Sequence, residues 1–363
     1  NFDIFLLTAN KNTSLLIKQI KEFNPKNIII TDNKNYKIVK KKFKNKKIYD
    51  SLNKINSIFK SKVDYTMSSI SGFNGLKPTL DIIKFTKTIA IANKESIICG
   101  WNLINKQLKS HKTNFIPIDS EHFSIWSLIK NSPNEGIDKI IITASGGPFL
   151  KKTHKQLKKI KPTDAIKHPK WKMGKKISVD SSTMMNKVLE VLEAFKLFPF
   201  SKDKYNIVIH PQSLIHAIVF FTNGQAKFLY HITDMKVPIA NAIYNNKIDI
   251  KKILIKKINH FNDFNHLRFE KVDKKKFPIV TLINKKIFNN SAPIILNASN
   301  EVLVNEFLKK KIPFNSIYPN LKRVFKDKDF KKYAIKRSPG IKEIYDIDNW
   351  ARKKTLSIIR RKR

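Results

Sequence analysis

The chain has 363 residues, 41 % of them hydrophobic, which is enough for real buried cores and too long for one ordinary domain. Its net charge of +44 admits a nucleic-acid partner, yet only seven of the 72 basic residues are arginine, the side chain that reads phosphates and base edges bidentately. A single cysteine, Cys99, excludes an internal disulfide framework, and no run reaches the roughly 18 apolar residues that a membrane span needs.

The lysines are spread along the whole chain beside an excess of Asn, Ile and Phe. That joint bias is what an AT-rich genome writes into permissive surface positions. The charge therefore reads as a solvated surface whose field still attracts anionic substrates.

In chain order, Phe2–Thr8 reads as a strand, and Leu15, Leu16, Ile17, Ile20 and Phe23 as an amphipathic helix closed by Asn24-Pro25. Ile28–Thr31 follows as a second strand. Such alternation predicts a parallel sheet with helices on its faces. Lys34–Lys47 reads as an exposed helix and loop. Val63–Ile70 is strand-like and runs into Ser71-Gly72-Phe73-Asn74-Gly75, which is either a plain turn or a close backbone approach to a ligand, before a helix start at Pro78. Thr88–Ala92 is a buried strand ending in Asn93-Lys94-Glu95-Ser96. These are functional side chains at a ligand-binding strand end, or a helix cap.

The strand Phe115–Ile118 delivers Asp119-Ser120-Glu121-His122. In extended backbone, residues two apart point the same way, so Asp119 and Glu121 place two carboxylates on one side. With a third oxygen ligand they suit Mg²⁺ or Mn²⁺. With only 28 acidic residues in the chain, their clustering at a strand end argues against a plain solvated turn. His122 reads as a packing or supporting residue. Ile140–Thr143 is a further strand, ending in Ala144-Ser145-Gly146-Gly147, a phosphate cradle or a tight turn. Lys151–Lys161 reads as exposed.

The segment His168-Pro169-Lys170-Trp171-Lys172-Met173-Gly174 is irregular, as loops that cover active sites often are, or else it packs a core edge. Next, Ser181-Ser182-Thr183 followed by Met184, Val188, Leu192 and Phe195 predicts a helix opening on a cluster of N-cap residues. Asn186, Lys187 and Glu190 then share one side of it. Tyr205–His210 is a strand, and Asn223-Gly224 predicts a hairpin between Ala217–Thr222 and Gln225–His231, in a sheet distinct from the first. His210 and His216 read as structural. Lys247–Lys276 suits a linker. Val280–Ile287, Ala298–Lys309, Ile317–Phe325 and Asn349–Ile359 predict a small helical domain, and Arg360-Arg361-Lys362-Arg363 a charged end.

The blocks ANKES, PIDSEH, SGGPF, HPKWKMG, SVDSSTMMNKVLEVLEA, IHPQSLIHA and NASNE, in that order, resemble the 1-deoxy-D-xylulose 5-phosphate reductoisomerase family over essentially the whole chain. The resemblance implies an α/β fold with a Rossmann-like NADPH-binding domain over 1–119, an α+β catalytic domain over 120–246, a linker over 247–277 and a C-terminal helical domain over 278–363. The family's first strand and Gly-rich turn have no counterpart here, so an N-terminally incomplete chain is expected. The implied activity is metal-assisted rearrangement of 1-deoxy-D-xylulose 5-phosphate and its reduction by NADPH to 2-C-methyl-D-erythritol 4-phosphate, with Mg²⁺, Mn²⁺ or Co²⁺.

On the same resemblance, Asp119, Glu121 and Glu190 are the metal ligands and, with Lys94, the catalytic set. Lys94, Ser120, Glu121 and Glu190 match contacts to substrate carbonyl and hydroxyl oxygens; Ser145, His168, Ser181, Asn186 and Lys187 match substrate and phosphate contacts. Trp171 and Met173 match a flap. Asn93, Glu95 and Gly174 match cofactor positions. Asn10-Lys11-Asn12 stands where the family typically has Gly-Lys-Asn for the ribose 2′-phosphate, so Asn10 is expected to adopt a turn glycine's backbone. A homodimer is implied too; the AT-type composition favours a bacterial cytoplasm, with a targeting peptide left open by the absent N-terminus, and no nucleic-acid or membrane partner is expected. The alternatives are a basic nucleic-acid-binding protein and an inactive homologue.

Overall fold

The computed structural model describes residues 2–130, 136–171, 173–254, 266–284, 286–288, 291–335 and 337–360. Expectations for Asn1, Lys172, the middle of the Lys247–Lys276 linker and Arg361-Lys362-Arg363 lie outside the described residues. The chain forms two compact units, one of Asn1–Met67, Lys77–Ile89 and Gln107–Phe115, the other of Ser68–Leu76, Ala90–Lys106 and Ile116–Arg363.

In the first unit, β1 (Leu6–Ala9), β2 (Asn27–Ile30) and β3 (Lys47–Tyr49) form a parallel sheet in that order. All four residues of β2 are buried, as a central parallel strand requires. The Thr13–Phe23 helix is capped by Asn12 Oδ1, which accepts from the Leu15 N–H, and is stopped by Asn24 in the left-handed region. It lays Leu16 and Ile20 against Ile28 and Ile30, and the Asn33–Lys42 helix adds Val39. The lysine-dense stretch hid β3, because exposed Lys47 and half-buried Tyr49 flank a single buried Ile48. A second three-stranded sheet has the order β4 (Val63–Ser68), β5 (Thr86–Ile91), β6 (Asn114–Pro117).

The second unit is built on β7 (Ile137–Ala144), β8 (Tyr205–Ile209), β9 (Ile215–Phe221), β10 (Ala226–Tyr230) and β11 (Glu270–Lys271), in the order β10-β9-β7-β8-β11. β7 and β8 are parallel; the other pairings are antiparallel. The Asn223-Gly224 hairpin forms as expected, with Ala226 opposite Phe220 and Gly224 at φ +83°. Ile140, Ile142, Ala217 and Val219 of the sheet join Val191 and Ala194 of the Met185–Leu197 helix in one core. Three long helices, Ala292–Leu308, Ile317–Phe325 and Ile341–Arg360, pack on one another beyond it. Val280–Ile287, expected as helical, is 3₁₀ over Pro278–Asn284 and Lys286–Phe288, with Thr281 Oγ1 donating to the Pro278 carbonyl.

Two local expectations fail. Ser181-Ser182-Thr183 does not open a helix; it is the last turn of the Lys175–Thr183 helix, and Ser182 Oγ donates to the Ala165 and Ser178 carbonyls, each at 2.8 Å. Met184 then turns left-handed (φ 66°) and the next helix starts at Met185. Met184, Val188 and Leu192 continue one apolar period across the break, so hydrophobic spacing could not reveal it. Asp119 and Glu121 are likewise not aligned by extended backbone, because Asp119 is the N-cap of a helix that begins at Ser120.

Where β7 ends, Gly147 (φ +66°) approaches the Ser181 carbonyl so closely that an added Cβ would lie 2.7 Å from it. Left-handed φ and a backbone clash act together here. Gly147→Ala is expected to cost about 2–4 kcal/mol, read as a lowered urea midpoint.

Candidate active site

The hydrogen-bonding and ion-pairing residues in this paragraph all belong to the second unit. At the strand ends the Ala92 N–H donates to the Ser68 carbonyl and the Ile118 N–H to the Ile91 carbonyl, which places the two following loops side by side. Asn93 caps the Lys94–Ser110 helix by accepting from the Ser96 N–H at 2.7 Å. Its amide donates back to the Ile70 and Gly72 carbonyls, so the side chain latches the 70–75 turn. Lys94 opens that helix. Asp119 makes no side-chain cap bond to its own helix, and its carboxylate meets Lys94 Nζ at 2.6 Å.

The Met185–Leu197 helix supplies the rest. Lys94 Nζ also reaches Asn186 Oδ1 at 2.9 Å and Glu190 Oε1 at 3.4 Å. Lys187 Nζ lies 2.6 Å from Glu190 Oε2 and bonds Glu121, while Ser120 Oγ donates to Glu121 at 2.6 Å and Asn186 donates to Glu190. Carboxylate oxygens of Asp119, Glu121 and Glu190 all lie within 4.8 Å of one another. Burial pulls Lys94 down, but Asp119 and Glu190 outweigh it and hold the ammonium charged. Burial would raise Asp119; Lys94 reverses that and keeps it well below the usual range. Burial and the charge of Glu190 push Glu121 up to about 7, with Lys187 opposing.

Behind this cluster, His122 Nε2 donates to the Glu190 carbonyl at 2.8 Å, and its Nδ1 faces Glu193 Oε2 at 3.4 Å. Burial would lower His122, yet Glu193 lifts it to about 9. The supporting role read for His122 matches this geometry. Glu193, fully buried, was not singled out from the sequence, although it stands three residues after Glu190 on the same helix and that spacing could have pointed to it.

On the other side, His168 Nδ1 accepts from the Trp171 N–H at 2.9 Å and the Lys170 N–H at 3.2 Å. The ring proton therefore sits on Nε2 and is donated to Ser145 Oγ at 3.0 Å. Ser145 Oγ also accepts from the Gly147 N–H at 3.1 Å. Among the described residues, none accepts the proton of the Ser145 hydroxyl. A cavity of about 250 Å³ joins Ser145, His168 and Ser181 to Lys94, Asp119 and Glu190. Trp171, Met173, Ser213, His216 and Met235 are also in its wall.

The cofactor candidates are arranged differently. Glu95 pairs with Lys176 at 3.1 Å, and Gly174 caps the Lys175–Thr183 helix with open space where a Cβ would be. In the first unit, Asn10 donates to Thr31 Oγ1 at 2.6 Å, Asn12 is the cap of the first helix, and Lys11 is exposed at the end of β1. Asn10 does not take a turn glycine's backbone: it is not among the residues with positive φ, because its side chain bonds Thr31 and the turn closes without a left-handed residue there.

Family models for 1-deoxy-D-xylulose 5-phosphate reductoisomerase match residues 1–100, and models of its C-terminal domain match 115–198 and 231–354. The reductoisomerase of Pelagibacter ubique (strain HTCC1062) is 49 % identical over 367 residues, covering 99 % of this chain and 93 % of that protein. The chain belongs to the 1-deoxy-D-xylulose 5-phosphate reductoisomerase family. A Wolbachia pipientis (wMel) reductoisomerase is 40 % identical over 87 % of this chain and 81 % of its own. Among solved structures, the Zymomonas mobilis reductoisomerase in complex with NADPH superimposes with a TM-score of 0.87 at 31 % identity. A reductoisomerase in complex with NADPH, fosmidomycin and magnesium does so with 0.89 at 31 %. Each covers 99 % of this chain and 92 % of that one. The parallel N-terminal sheet, the mixed sheet and the C-terminal helices are those of reductoisomerases. None of these relatives supports the nucleic-acid-binding reading of the basic surface. No described helix is long and apolar enough to cross a membrane.

Burial, reinforced by Lys187, lowers His168 to about 4 from its usual 6.5. The unfolded chain therefore takes up this proton first as pH falls, so its contribution to stability is present above 6.5 and lost on the way down to about 4. His168→Gln is expected to flatten the pH dependence of the urea midpoint in that window.

Proposed function

We propose that this chain converts 1-deoxy-D-xylulose 5-phosphate to 2-C-methyl-D-erythritol 4-phosphate, using NADPH and a divalent cation. The observation that carries this reading is the convergence of Asp119, Glu121 and Glu190 within 4.8 Å, with two ammonium groups drawn in among them. Three hard oxygen donors in an enclosure that attracts cations fit Mg²⁺ or Mn²⁺, and Co²⁺ is compatible. Such a cation, when bound, polarises a carbonyl and acidifies a vicinal hydroxyl.

The chain's own groups do the rest. Asp119, Glu121 and Glu190 hold the cation. Lys94, Ser120 and Lys187 donate to substrate oxygens beside it, and Asn186 lines the same wall. Ser145 offers its free proton to the phosphate, with neutral His168 fixing its orientation and Ser181 opposite. Binding at that remote end positions the reacting end. Trp171 and Met173 cover the cavity and exclude water.

For NADPH, Lys11 is exposed at a strand end to meet the 2′-phosphate, flanked by Asn10 and Asn12. Asn93 and Glu95 already spend their side chains on the 70–75 turn and Lys176, so they act on the cofactor by holding those elements, while Gly174 leaves it room. We read 1–119 as the NADPH domain, 120–246 as the catalytic domain and 278–363 as the helical domain.

A cytoplasmic homodimer without a nucleic-acid partner is part of the same reading. β10 supports the dimer: it is an edge strand with Phe228 46 % exposed, the kind of edge that pairs with another copy. The full carboxylate set argues against an inactive homologue.

Glu190→Gln removes the carboxylate that touches both lysines. We expect NADPH oxidation with Mg²⁺ to fall by at least about 10³-fold. Near-normal turnover in that variant would remove Glu190 from the mechanism and with it the proposed ligand set.

A further inference from the structure

We propose that His231, outside the cavity, is a positioning residue for the substrate site: it fixes the ring of His216, against which Trp171 rests. β10 and β9 pair regularly until Leu229 lies opposite Ala217, and then the register shifts so that Tyr230 faces Ile215. His216 is the residue skipped. A bulge of this kind re-aims a side chain, and here it turns His216 toward the cavity wall.

His231 follows β10 directly, tied down by its N–H to the Leu214 carbonyl at 2.9 Å. Its imidazole stacks on that of His216 with centroids 3.8 Å apart and planes 15° from parallel. His216 Nε2 donates to the His231 carbonyl at 3.2 Å, so one residue holds the ring by both face and edge. Trp171 meets the same ring edge to face at 6.0 Å and 70°.

The tautomers agree with this. His231 Nδ1 donates to the Ile232 carbonyl at 2.7 Å, and its buried Nε2 has no hydrogen-bond partner among the described residues. A buried imidazole with one bare nitrogen contributes its ring face rather than a proton. Burial first, then His231, Lys187 and His210, keep His216 well below its usual range, and burial lowers His231 to about 4. Both rings are therefore uncharged at neutral pH and free to stack.

The test uses His231→Ala and His231→Phe in the full chain. The first readout is acrylamide quenching of Trp171, taken as the difference between each protein and its Trp171→Phe counterpart. It needs no turnover, so it is independent of the proposed function on which the second readout rests. The second is KM against kcat for 1-deoxy-D-xylulose 5-phosphate. We expect the alanine variant to raise Trp171 quenching about twofold and KM about fivefold, with kcat within about twofold, and phenylalanine to restore both. Unchanged Trp171 quenching in the alanine variant overturns the proposal. So does raised quenching in a phenylalanine variant that melts like wild type, which also decides the matter if alanine fails to fold. Absence of turnover in the wild type would count against the proposed function alone.

Discussion

Buried negative charge is the constraint on which the second unit depends. Asp119, Glu121, Glu190 and Glu193 converge in an enclosure where their burial ranges from partial to nearly complete. Carboxylates in such a place destabilise the fold unless cations meet them. Lys94 and Lys187 do so, one between Asp119 and Glu190, the other between Glu121 and Glu190, and His122 attends to Glu193. The strand-end hydrogen bonds, the Asn93 latch and the helix starting at Ser120 all bring opposite charges to one place. Glu190 is the hinge of the arrangement because both lysines and Asn186 reach it.

This balance also explains why a strongly basic chain carries its chemistry in acids. Surface lysines such as Lys87 meet their carboxylates in solvent, whereas Lys94 and Lys187 meet theirs in a buried enclosure. Composition describes the first group; sequence motifs mark the second, and geometry adds the carboxylates they meet.

Much of the fold was legible in the sequence. Alternating apolar runs marked β1, β2, β4, β5, β6 and β7 to within a few residues, and Asn223-Gly224 marked the hairpin. The site was legible as a set of residues, since the acidic positions are few and stand at strand and helix ends. What sequence could not supply were features without a local signature. The break at Met184 lies inside an unbroken hydrophobic period. β3 has one buried residue. Spacing from Glu190 could have marked Glu193 as sharing its face, but not that His122 would be placed against it. Lys187, expected among the substrate and phosphate contacts, has its ammonium between two carboxylates, one of them on a helix 66 residues away in sequence.

The left-handed Met184 has a further consequence, for how this stretch can vary in length. It is the single joint between a helix that presents Ser181 to the cavity and a helix that presents Asn186, Lys187 and Glu190. Each residue inserted or deleted in a helix rotates everything beyond it by about 100°. One residue more or fewer at the joint would swing the second set of side chains out of the cavity while leaving the helix itself intact. The spacing from Ser181 to Glu190 is therefore expected to tolerate substitution far better than any change in length.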